Sequence, residues 1–199
     1  MFIFGITGGS GAGKTAVLRV LKSIGALTLD CDKIYHELLA SSTELQSQLE
    51  SRFTGVLRDD GIDRKRLGEI VFNNPVALLE LNEITHKYVS IEIDKRISEW
   101  ATQGGKITAI DAIALIESGV SKKCDVVVGI TAPREIRLSR IINRDKLTRE
   151  QAEMRIDAQK PDSFFEENCD YILNNNYKTP AELKAKTKEF FTGLLDNIG

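Results

Sequence analysis

Residues 8–15 are the part of the chain whose residue types and spacing most clearly suit chemistry. Their sequence is Gly-Gly-Ser-Gly-Ala-Gly-Lys-Thr, which fits the pattern G-x-x-x-x-G-K-[ST]. Glycines let a backbone curl so that successive N–H groups point at phosphate oxygens. Lys14 can reach the β- and γ-phosphates of a nucleotide, and the hydroxyl of Thr15 can bind Mg²⁺. The pattern therefore predicts a nucleotide-binding loop.

The segments on either side give this loop the context that it needs. Residues 2–6 are an apolar run typical of a strand. Apolar residues then recur at helical spacing from Val17 to Ile24, and Gly25 is expected to end that helix. The positive end of the helix would face the phosphates. The alternative is a glycine-rich turn before an ordinary helix, and the flanking strand and helix make it the weaker interpretation.

Two carboxylates follow the next predicted strand, residues 26–29. Asp30 and Asp32 lie where ligands gather in open α/β sheets, beyond the carboxyl end of a strand. Asp32 could accept a proton from a substrate hydroxyl, or bind Mg²⁺ through water. The alternative for either residue is that it caps the next helix. We favour a functional role for Asp32 and leave Asp30 open between the two.

Residues that follow the later predicted strands are weaker candidates for the functional site. Strands are predicted at 106–110, 125–131 and 171–173. Asp111 follows the first of these and is either a second-shell Mg²⁺ ligand or a turn residue. Asparagines 174–176 follow the last one. They could frame a nucleotide base, although composition alone favours a polar turn.

Arginines crowd into residues 134–155. Arg137, Arg140 and Arg144 are spaced i, i+3, i+7 and so share one face of a predicted helix. Residues 144–159 have few apolar side chains and hence little packing to fix them. This predicts a mobile lid that brings arginines onto phosphates during transfer. The alternative is an exposed helix pair with charge pairing between i and i+4.

Residues 33–103 look helical and lack clear strands. The stretch is longer than a minimal crossover helix between parallel strands. It therefore predicts a helical insertion that forms a second wall over the active site. Three consecutive basic residues within it, 64–66, are interpreted as a solvated face in preference to a phosphate site.

Composition bounds the class of protein. The 199 residues are 42% hydrophobic, enough for one domain with a small insertion. The 27 basic and 29 acidic residues give a net charge of −2, which argues against a nucleic-acid partner. The three cysteines are far apart, so we expect reduced thiols in a cytoplasmic protein and no zinc site. No apolar run reaches about 18 residues, so no membrane span is expected. The first residues have no basic segment and only a short apolar run before Gly5, so no signal peptide is expected either.

The chain as a whole resembles the dephospho-CoA kinase family. The resemblance covers nearly all of the sequence. Beyond the loop at 7–15, the matching segments are Asp30–His36, Phe72–Pro75, Leu81–His86, Asp111–Glu117, Arg140–Asp145, Arg155–Gln159 and Asp170–Asn175. This sequence differs from the family pattern at Cys31, Lys87 and Ile113-Ala114.

The resemblance implies a three-layer α/β P-loop NTPase fold with a five-stranded parallel sheet in the order 2-3-1-4-5. It implies a core of residues 1–32, 104–143 and 161–199, a helical acceptor-binding insert at 33–103, and a lid at 144–160. The implied reaction moves the γ-phosphoryl group of ATP to the ribose 3′-hydroxyl of 3′-dephospho-CoA, giving CoA and ADP. ATP and dephospho-CoA are the implied partners and Mg²⁺ the implied cofactor, and we expect a monomer.

The resemblance also implies roles for individual residues. The implied catalytic residues are Lys14, Asp32 and Arg144. The implied ATP-binding residues are Gly9, Ser10, Gly11, Ala12, Gly13, Lys14, Thr15, Ala16, Arg140 and Asn175, with Arg140 against the adenine. The implied acceptor-binding residues are Asp32, His36, His86 and Glu117. The implied lid residues are Arg144, Arg155 and Gln159. The implied Mg²⁺ ligand is Thr15, with Asp111 as a second candidate.

Two other functions stay open at this point. A nucleoside or nucleotide kinase of similar fold would share the loop and could use a similar helical insert. A non-catalytic nucleotide switch of the GTPase type would need an N-K-x-D guanine motif. No such run occurs in the sequence.

Overall fold

The protein is an α/β fold, seen here in a computed structural model that describes residues 1–177 and 179–196. Its strands are β1 (Phe2–Thr7), β2 (Leu27–Asp30), β3 (Leu57–Arg58), β4 (Gly61–Ile62), β5 (Ile107–Asp111), β6 (Val126–Thr131) and β7 (Tyr171–Asn174). Its helices are α1 (Lys14–Ser23), α2 (Cys31–Ser41), α3 (Thr43–Arg52), α4 (Arg64–Val71), α5 (Pro75–Thr102), α6 (Arg134–Asp145), α7 (Arg149–Asp157), α8 (Asp162–Asn168) and α9 (Pro180–Asp196). A short 3₁₀ turn spans Val120–Lys123.

The main sheet has five strands in the order β2-β5-β1-β6-β7. The pairings of β1 with β5, of β1 with β6 and of β6 with β7 are parallel. The strand labels in this order differ from the expected 2-3-1-4-5 because β3 and β4, which form a separate sheet, are counted in the numbering. Counted without that pair, the five strands lie in the order 2-3-1-4-5. β1 is central, so the loop that follows it leaves from the middle of the sheet.

Alternation along the strands places packing partners on both faces of this sheet. Phe4 and Ile6 of β1 are fully buried in a cluster that includes side chains of α1 and α9. Gly5 points to the opposite face, where a Cβ atom would lie 2.7 Å from Leu115. Gly129 of β6 similarly faces Phe165 of α8. The sheet is therefore the middle one of three layers.

The chain forms two compact units. The first comprises residues 1–29 with 103 onward, and it contains most of the main sheet. The second comprises residues 30–102. Helices α2 to α5 each contribute buried side chains to the core of the second unit, among them Leu39, Leu45, Leu49, Leu67 and Leu81. Each unit therefore has a hydrophobic core of its own.

Helix α5 is the longest helix of the second unit, with 28 residues. Its buried residues recur every four positions, at Ala77, Leu81, Thr85, Val89 and Ile93. This spacing keeps them on one face. The side chain of Asn74 caps the helix by accepting from the Ala77 N–H at 3.1 Å. None of the helices in the described part of the chain is long and apolar enough to cross a membrane.

Residues 57–62 form a small antiparallel hairpin, β3 and β4, with Leu57 opposite Ile62. The sequence predicts no strand between residues 33 and 103, and that prediction is wrong. Each strand has only two residues, too few for an alternating pattern to be recognised.

Residues 144–160 are better packed than the sequence predicts. Ala152 and Ile156 of α7 are buried against Leu138 and Ile141 of α6. Two apolar side chains four residues apart are enough to seat a short helix on its neighbour. The expectation of little packing is therefore wrong, and movement of this segment as a lid stays a prediction.

Glycines 61 and 68 provide a test of the packing in the second unit. Gly61 has a φ of 117°, and a Cβ atom there would lie 2.8 Å from the carbonyl oxygen of Leu39. We expect Gly61→Ala to lower the free energy of unfolding by about 1–3 kcal/mol, because it combines backbone strain with a clash. The measurement is urea unfolding followed by circular dichroism.

Gly68→Ala is the matched control. Gly68 lies inside α4, and a Cβ atom there would meet nothing within 4 Å. Because alanine is the better helix former, this change should stabilise the protein by about 0.5–1 kcal/mol. Equal stability of the two variants would contradict the assigned role of Gly61.

Candidate active site

The loop between β1 and α1 has a conformation that glycine alone adopts readily. Gly8, Gly11 and Gly13 have φ angles of 137°, 77° and 111°, in the region that L side chains avoid. Space is short as well, because a Cβ atom on Gly8 would lie 2.2 Å from the carbonyl oxygen of Ile130. Gly13 is also the N-cap of α1, and it has no side chain with which to cap the helix. The helix therefore presents its positive end to the loop.

The carbonyl groups of the loop are bonded by donors from other elements. Arg140 Nη1 donates to the carbonyl oxygens of Gly11 at 3.0 Å and Ala12 at 3.2 Å. Asn175 Nδ2 donates to the Ala12 carbonyl oxygen at 2.7 Å. Asn175 Oδ1 in turn accepts from Arg140 Nη2 at 3.3 Å, so the two side chains support each other. Residues from α6 and from the end of β7 thus hold one side of the loop.

Arg137 bonds the carbonyl of Ser10, which lies one residue before the carbonyls bonded by Arg140. Its side chain is buried, and its Nε donates to the carbonyl oxygen of Ser10 at 3.0 Å. Its Nη2 donates to Gln159 Oε1 at 3.0 Å, and its Nη1 to Asp162 at 3.3 Å. Burial lowers the pKa of Arg137, and the nearby Asp162 acts in the opposite direction. Guanidinium groups stay protonated in proteins, so a positive charge lies beneath the loop.

These bonds set the direction of the loop N–H groups. In a trans peptide the carbonyl oxygen and the following N–H point in opposite directions. Because Arg137 bonds the Ser10 carbonyl, the N–H of Gly11 points away from α6. By the same geometry, the bonds to the Ala12 carbonyl turn the N–H of Gly13 away from Arg140 and Asn175. The loop thereby aims donors at one side, which is the arrangement that binds phosphate.

Lys14 and Thr15 complete the loop. Lys14 Nζ donates to the carbonyl oxygen of Gly8 at 2.6 Å, so its ammonium group lies over the loop. Thr15 is exposed in the first turn of α1. The sequence predicts both residues as phosphate and metal ligands, and these roles stay predictions.

The arginines of the predicted stripe divide between two places. Arg137 and Arg140 contact the loop, whereas Arg144 Nε and Nη2 donate to Asp145 at 2.7 and 2.8 Å. Arg155 Nη1 donates to the same carboxylate at 2.8 Å. The hydrogen bond from Arg144 is the main cause of the lowered pKa of Asp145. One carboxylate thus holds two exposed guanidinium groups that the sequence assigns to the lid.

Sequence reasoning gave no individual role to two members of this arrangement and a different role to two others. It included Arg137 in the stripe without a role, and it gave none to Asp145. It placed Arg140 and Asn175 at the adenine and favoured a polar turn for the asparagines. The structure instead puts the polar atoms of Arg140 and Asn175 on loop carbonyls, and Asn175 is 1% exposed. An adenine contact by either residue stays a prediction.

Asp30 at the end of β2 and Asp32 at the start of α2 have different environments. Asp30 caps α2, because its Oδ1 accepts from the N–H of Lys33 at 3.0 Å. The capping alternative therefore holds for Asp30. Asp32 is exposed in the first turn of the same helix, and it is not the cap. Its carboxylate stays a candidate for chemistry.

The remaining acceptor candidates lie in both units. In the second unit, His36 is exposed, and its Nε2 lies 3.4 Å from Arg64 Nη2. His86 is half-buried in α5, and burial lowers the pKa of its imidazole, which favours the neutral form at pH 7. Glu117 is exposed in the segment after β5, in the first unit.

The donor set suits a Mg²⁺ ion that is held mainly by a nucleotide. Thr15 and Asp111 offer a hydroxyl and a carboxylate, the hard oxygen ligands that Mg²⁺ prefers. Within the described residues, no group of three or more His, Cys, Asp or Glu side chains could hold a metal ion. Mg²⁺ is commonly bound through one or two protein oxygens plus substrate phosphates, so the residues present fit it.

The central strand, the turned loop and the surrounding cations define a P-loop phosphotransferase. The fold agrees with this class. A solved shikimate kinase from Acinetobacter baumannii is similar with a TM-score of 0.55 at 19% identity, over 99% of this chain and 94% of that one. At that identity the likeness concerns the fold alone.

The chain belongs to the dephospho-CoA kinase family, whose model matches residues 2–181. It is 40% identical to a dephospho-CoA kinase of Dehalococcoides mccartyi, over 94% of this chain and 98% of the relative. A relative of the same name from Geobacter sulfurreducens is 34% identical, over 96% and 98%. The solved dephospho-CoA kinase from Campylobacter jejuni has a TM-score of 0.66 at 28% identity, over 98% of this chain and 96% of that chain. The protein is accordingly an enzyme and a kinase.

Asn175→Ala tests the support of the loop. The change removes the donor to the Ala12 carbonyl and one acceptor of Arg140, so that the loop N–H groups lose their fixed direction. We expect ATP affinity to fall about tenfold, in line with the loss of one or two buried hydrogen bonds. Isothermal titration with Mg²⁺-ATP measures this directly.

The neighbouring Asn176→Ala is the control, because Asn176 is exposed. It should bind ATP as the wild type does. Equal ATP affinity of the Asn175 variant and the wild type would show that the loop holds its conformation without this bond.

Proposed function

We propose that the protein transfers the γ-phosphoryl group of ATP to the ribose 3′-hydroxyl of 3′-dephospho-CoA, giving CoA and ADP. This is the last step of coenzyme A biosynthesis. The observation that carries the proposal is the extent of the family match, residues 2–181. That range includes the phosphate loop and the whole of the second unit, where most of the acceptor candidates lie.

The loop and its cations bind the phosphates. The N–H groups of Gly11 and Gly13 donate to phosphate oxygens, and Lys14 exchanges the carbonyl of Gly8 for the β- and γ-phosphates. Thr15, with Asp111 as a second candidate, would hold Mg²⁺, which would neutralise charge on the phosphates. Arg140 and Asn175 act through the loop backbone that they support.

Asp32 is the proposed general base. Its exposed carboxylate accepts the proton of the 3′-hydroxyl while that oxygen bonds to the γ-phosphorus. The bond between the γ-phosphorus and the β,γ-bridging oxygen breaks, and ADP leaves. His36, His86 and Glu117 are proposed to hold the acceptor.

Arg144 and Arg155 are proposed to stabilise the charge that develops during transfer. Both are exposed and both are held by Asp145. Phosphate oxygens can replace that carboxylate as acceptors, since guanidinium groups bind either one in bidentate fashion. With Gln159, they make residues 144–160 the proposed lid, which would exclude water from the reaction.

We also propose that the enzyme works in the cytoplasm, as a monomer. Its three cysteines, all in the described part of the chain, form no disulfide. Burial raises the pKa of the Cys124 thiol to about 12 and that of Cys169 to about 11. Both thiols are thus protonated at pH 7 and poorly reactive.

Asp32→Asn tests the base. Asparagine keeps the size of the side chain but cannot accept the proton, so we expect kcat to fall about 10²–10⁴-fold with little change in the Kd of ATP. Coupled measurement of ADP release gives kcat, and titration gives the Kd.

Asp30→Asn is the matched control, because asparagine caps a helix as well as aspartate does. It should retain most of its activity and stability. If Asp32→Asn lost ATP affinity together with kcat, Asp32 would serve the metal or the fold and would not be the base.

The acceptor is tested by ADP release with Mg²⁺-ATP and a panel of hydroxyl compounds. The panel comprises dephospho-CoA, a nucleoside and shikimate, and mass spectrometry identifies the products. ADP formed only with dephospho-CoA, with a product heavier by one phosphate, supports the proposal. If ADP release did not depend on dephospho-CoA but did depend on another compound of the panel, that compound would be the acceptor and the proposal would be wrong.

A further inference from the structure

Ser10, the third residue of the loop motif, is bonded at every polar atom. Its N–H donates to Gln159 Oε1 at 2.9 Å, and its Oγ accepts from Gln159 Nε2 at 2.7 Å. Its carbonyl oxygen accepts from Arg137 Nε at 3.0 Å. Ser10 as a whole is 6% exposed. Two residues from distant parts of the chain thus determine the orientation of one loop residue.

Gln159 connects this residue to α7. It follows the helix by two positions, and its own N–H donates to the carbonyl of Ile156 at 3.1 Å, which extends the last turn. The contact is close, because a Cβ atom on Gly9 would lie 3.1 Å from Gln159 Oε1 and 2.2 Å from Arg137 Nη2. A shift of α7 would therefore displace the loop backbone at Gly9 and Ser10.

We propose that Gln159 is a positioning residue that couples nucleotide binding in the loop to the placement of α7. The direction of the Ser10 peptide sets that of the Gly11 N–H, a donor to phosphate. Bound phosphate holds that N–H, and through Ser10 and Gln159 it holds the end of the helix that carries Arg155. Because coupling is reciprocal, a well-placed α7 tightens nucleotide binding in turn. The proposal rests on the assignment of ATP to this loop.

The amide of Gln159 suits this position. Its oxygen accepts from both the Ser10 N–H and Arg137, while its nitrogen donates to the hydroxyl of Ser10. A glutamate could keep the same contacts, because the Ser10 hydroxyl can donate in place of accepting. It would, however, add a negative charge beside phosphates. Gln159→Glu therefore separates the effect of geometry from that of charge.

The test uses two measurements that need no acceptor, so they stay informative if dephospho-CoA is not the substrate. One is the Kd of Mg²⁺-ATP. The other is amide hydrogen exchange in residues 148–158, with and without saturating Mg²⁺-ATP. The variants are Gln159→Ala, Gln159→Glu, Ser10→Ala and the double variant Ser10→Ala with Gln159→Ala.

Arg149→Ala is the matched control. Arg149 also ties α7 to α6, through Glu135 at 3.0 Å, but it is exposed and has no contact with the loop among those described. It should bind ATP with wild-type affinity and keep the protection that ATP gives to α7.

Gln159→Ala should weaken ATP binding about tenfold and abolish the protection of residues 148–158 by ATP. Its effect on affinity should be non-additive with that of Ser10→Ala, because the two residues share a bond. Gln159→Glu should weaken ATP binding but keep the protection at saturation.

The proposal is overturned if Gln159→Ala binds ATP as the wild type does, or if ATP still protects α7 in that variant. It is overturned as well if Arg149→Ala reproduces both effects, since these would then reflect general loosening of α7. Intact coupling without any turnover of dephospho-CoA would count against the proposed acceptor and leave this inference standing.

Discussion

The direction of the peptide planes in residues 8–13 is the constraint on which the rest of the structure depends. A loop of glycines could adopt many conformations, and most would present a mixture of carbonyl and N–H groups to a phosphate. Here the carbonyls are bonded by Lys14, Arg137, Arg140 and Asn175. Since a bonded carbonyl turns the next N–H away from its donor, Arg137, Arg140 and Asn175 on one side of the loop turn the N–H groups of Gly11 and Gly13 toward the other side, where they can bind an anion.

The fold brings these donors together. Lys14 is local, but Arg137 and Arg140 come from α6, and Asn175 directly follows β7. Parallel strands place the segments after β1, β6 and β7 at one edge of the sheet. Arg137 is buried and Arg140 is partly buried, so water screens their charges less than it would screen those of fully exposed arginines. The sheet therefore fixes the groups that hold the backbone of the loop.

Local patterns could be predicted from the sequence, and long-range pairings could not. The loop motif and its flanking strand and helix lie within 24 residues, so their succession along the chain is a local pattern that the sequence reveals. The bond between Ser10 and Gln159 joins residues 149 positions apart, and nothing in either residue type indicates the other. Asn175 looks like a turn residue until tertiary structure buries it. The sequence favours Asp32 for chemistry but leaves Asp30 open between function and capping, and the hydrogen bond from the Lys33 N–H identifies Asp30 as the cap.

The most direct test of this account is a structure with Mg²⁺, a non-hydrolysable ATP analogue and dephospho-CoA. The account predicts phosphate oxygens about 3 Å from the N–H groups of Gly11 and Gly13. It predicts Lys14 on the phosphates, and Arg140 and Asn175 still on the carbonyls of Gly11 and Ala12. If Arg140 and Asn175 instead left the loop and bound the nucleotide themselves, the loop would not depend on them, and the central claim would be wrong.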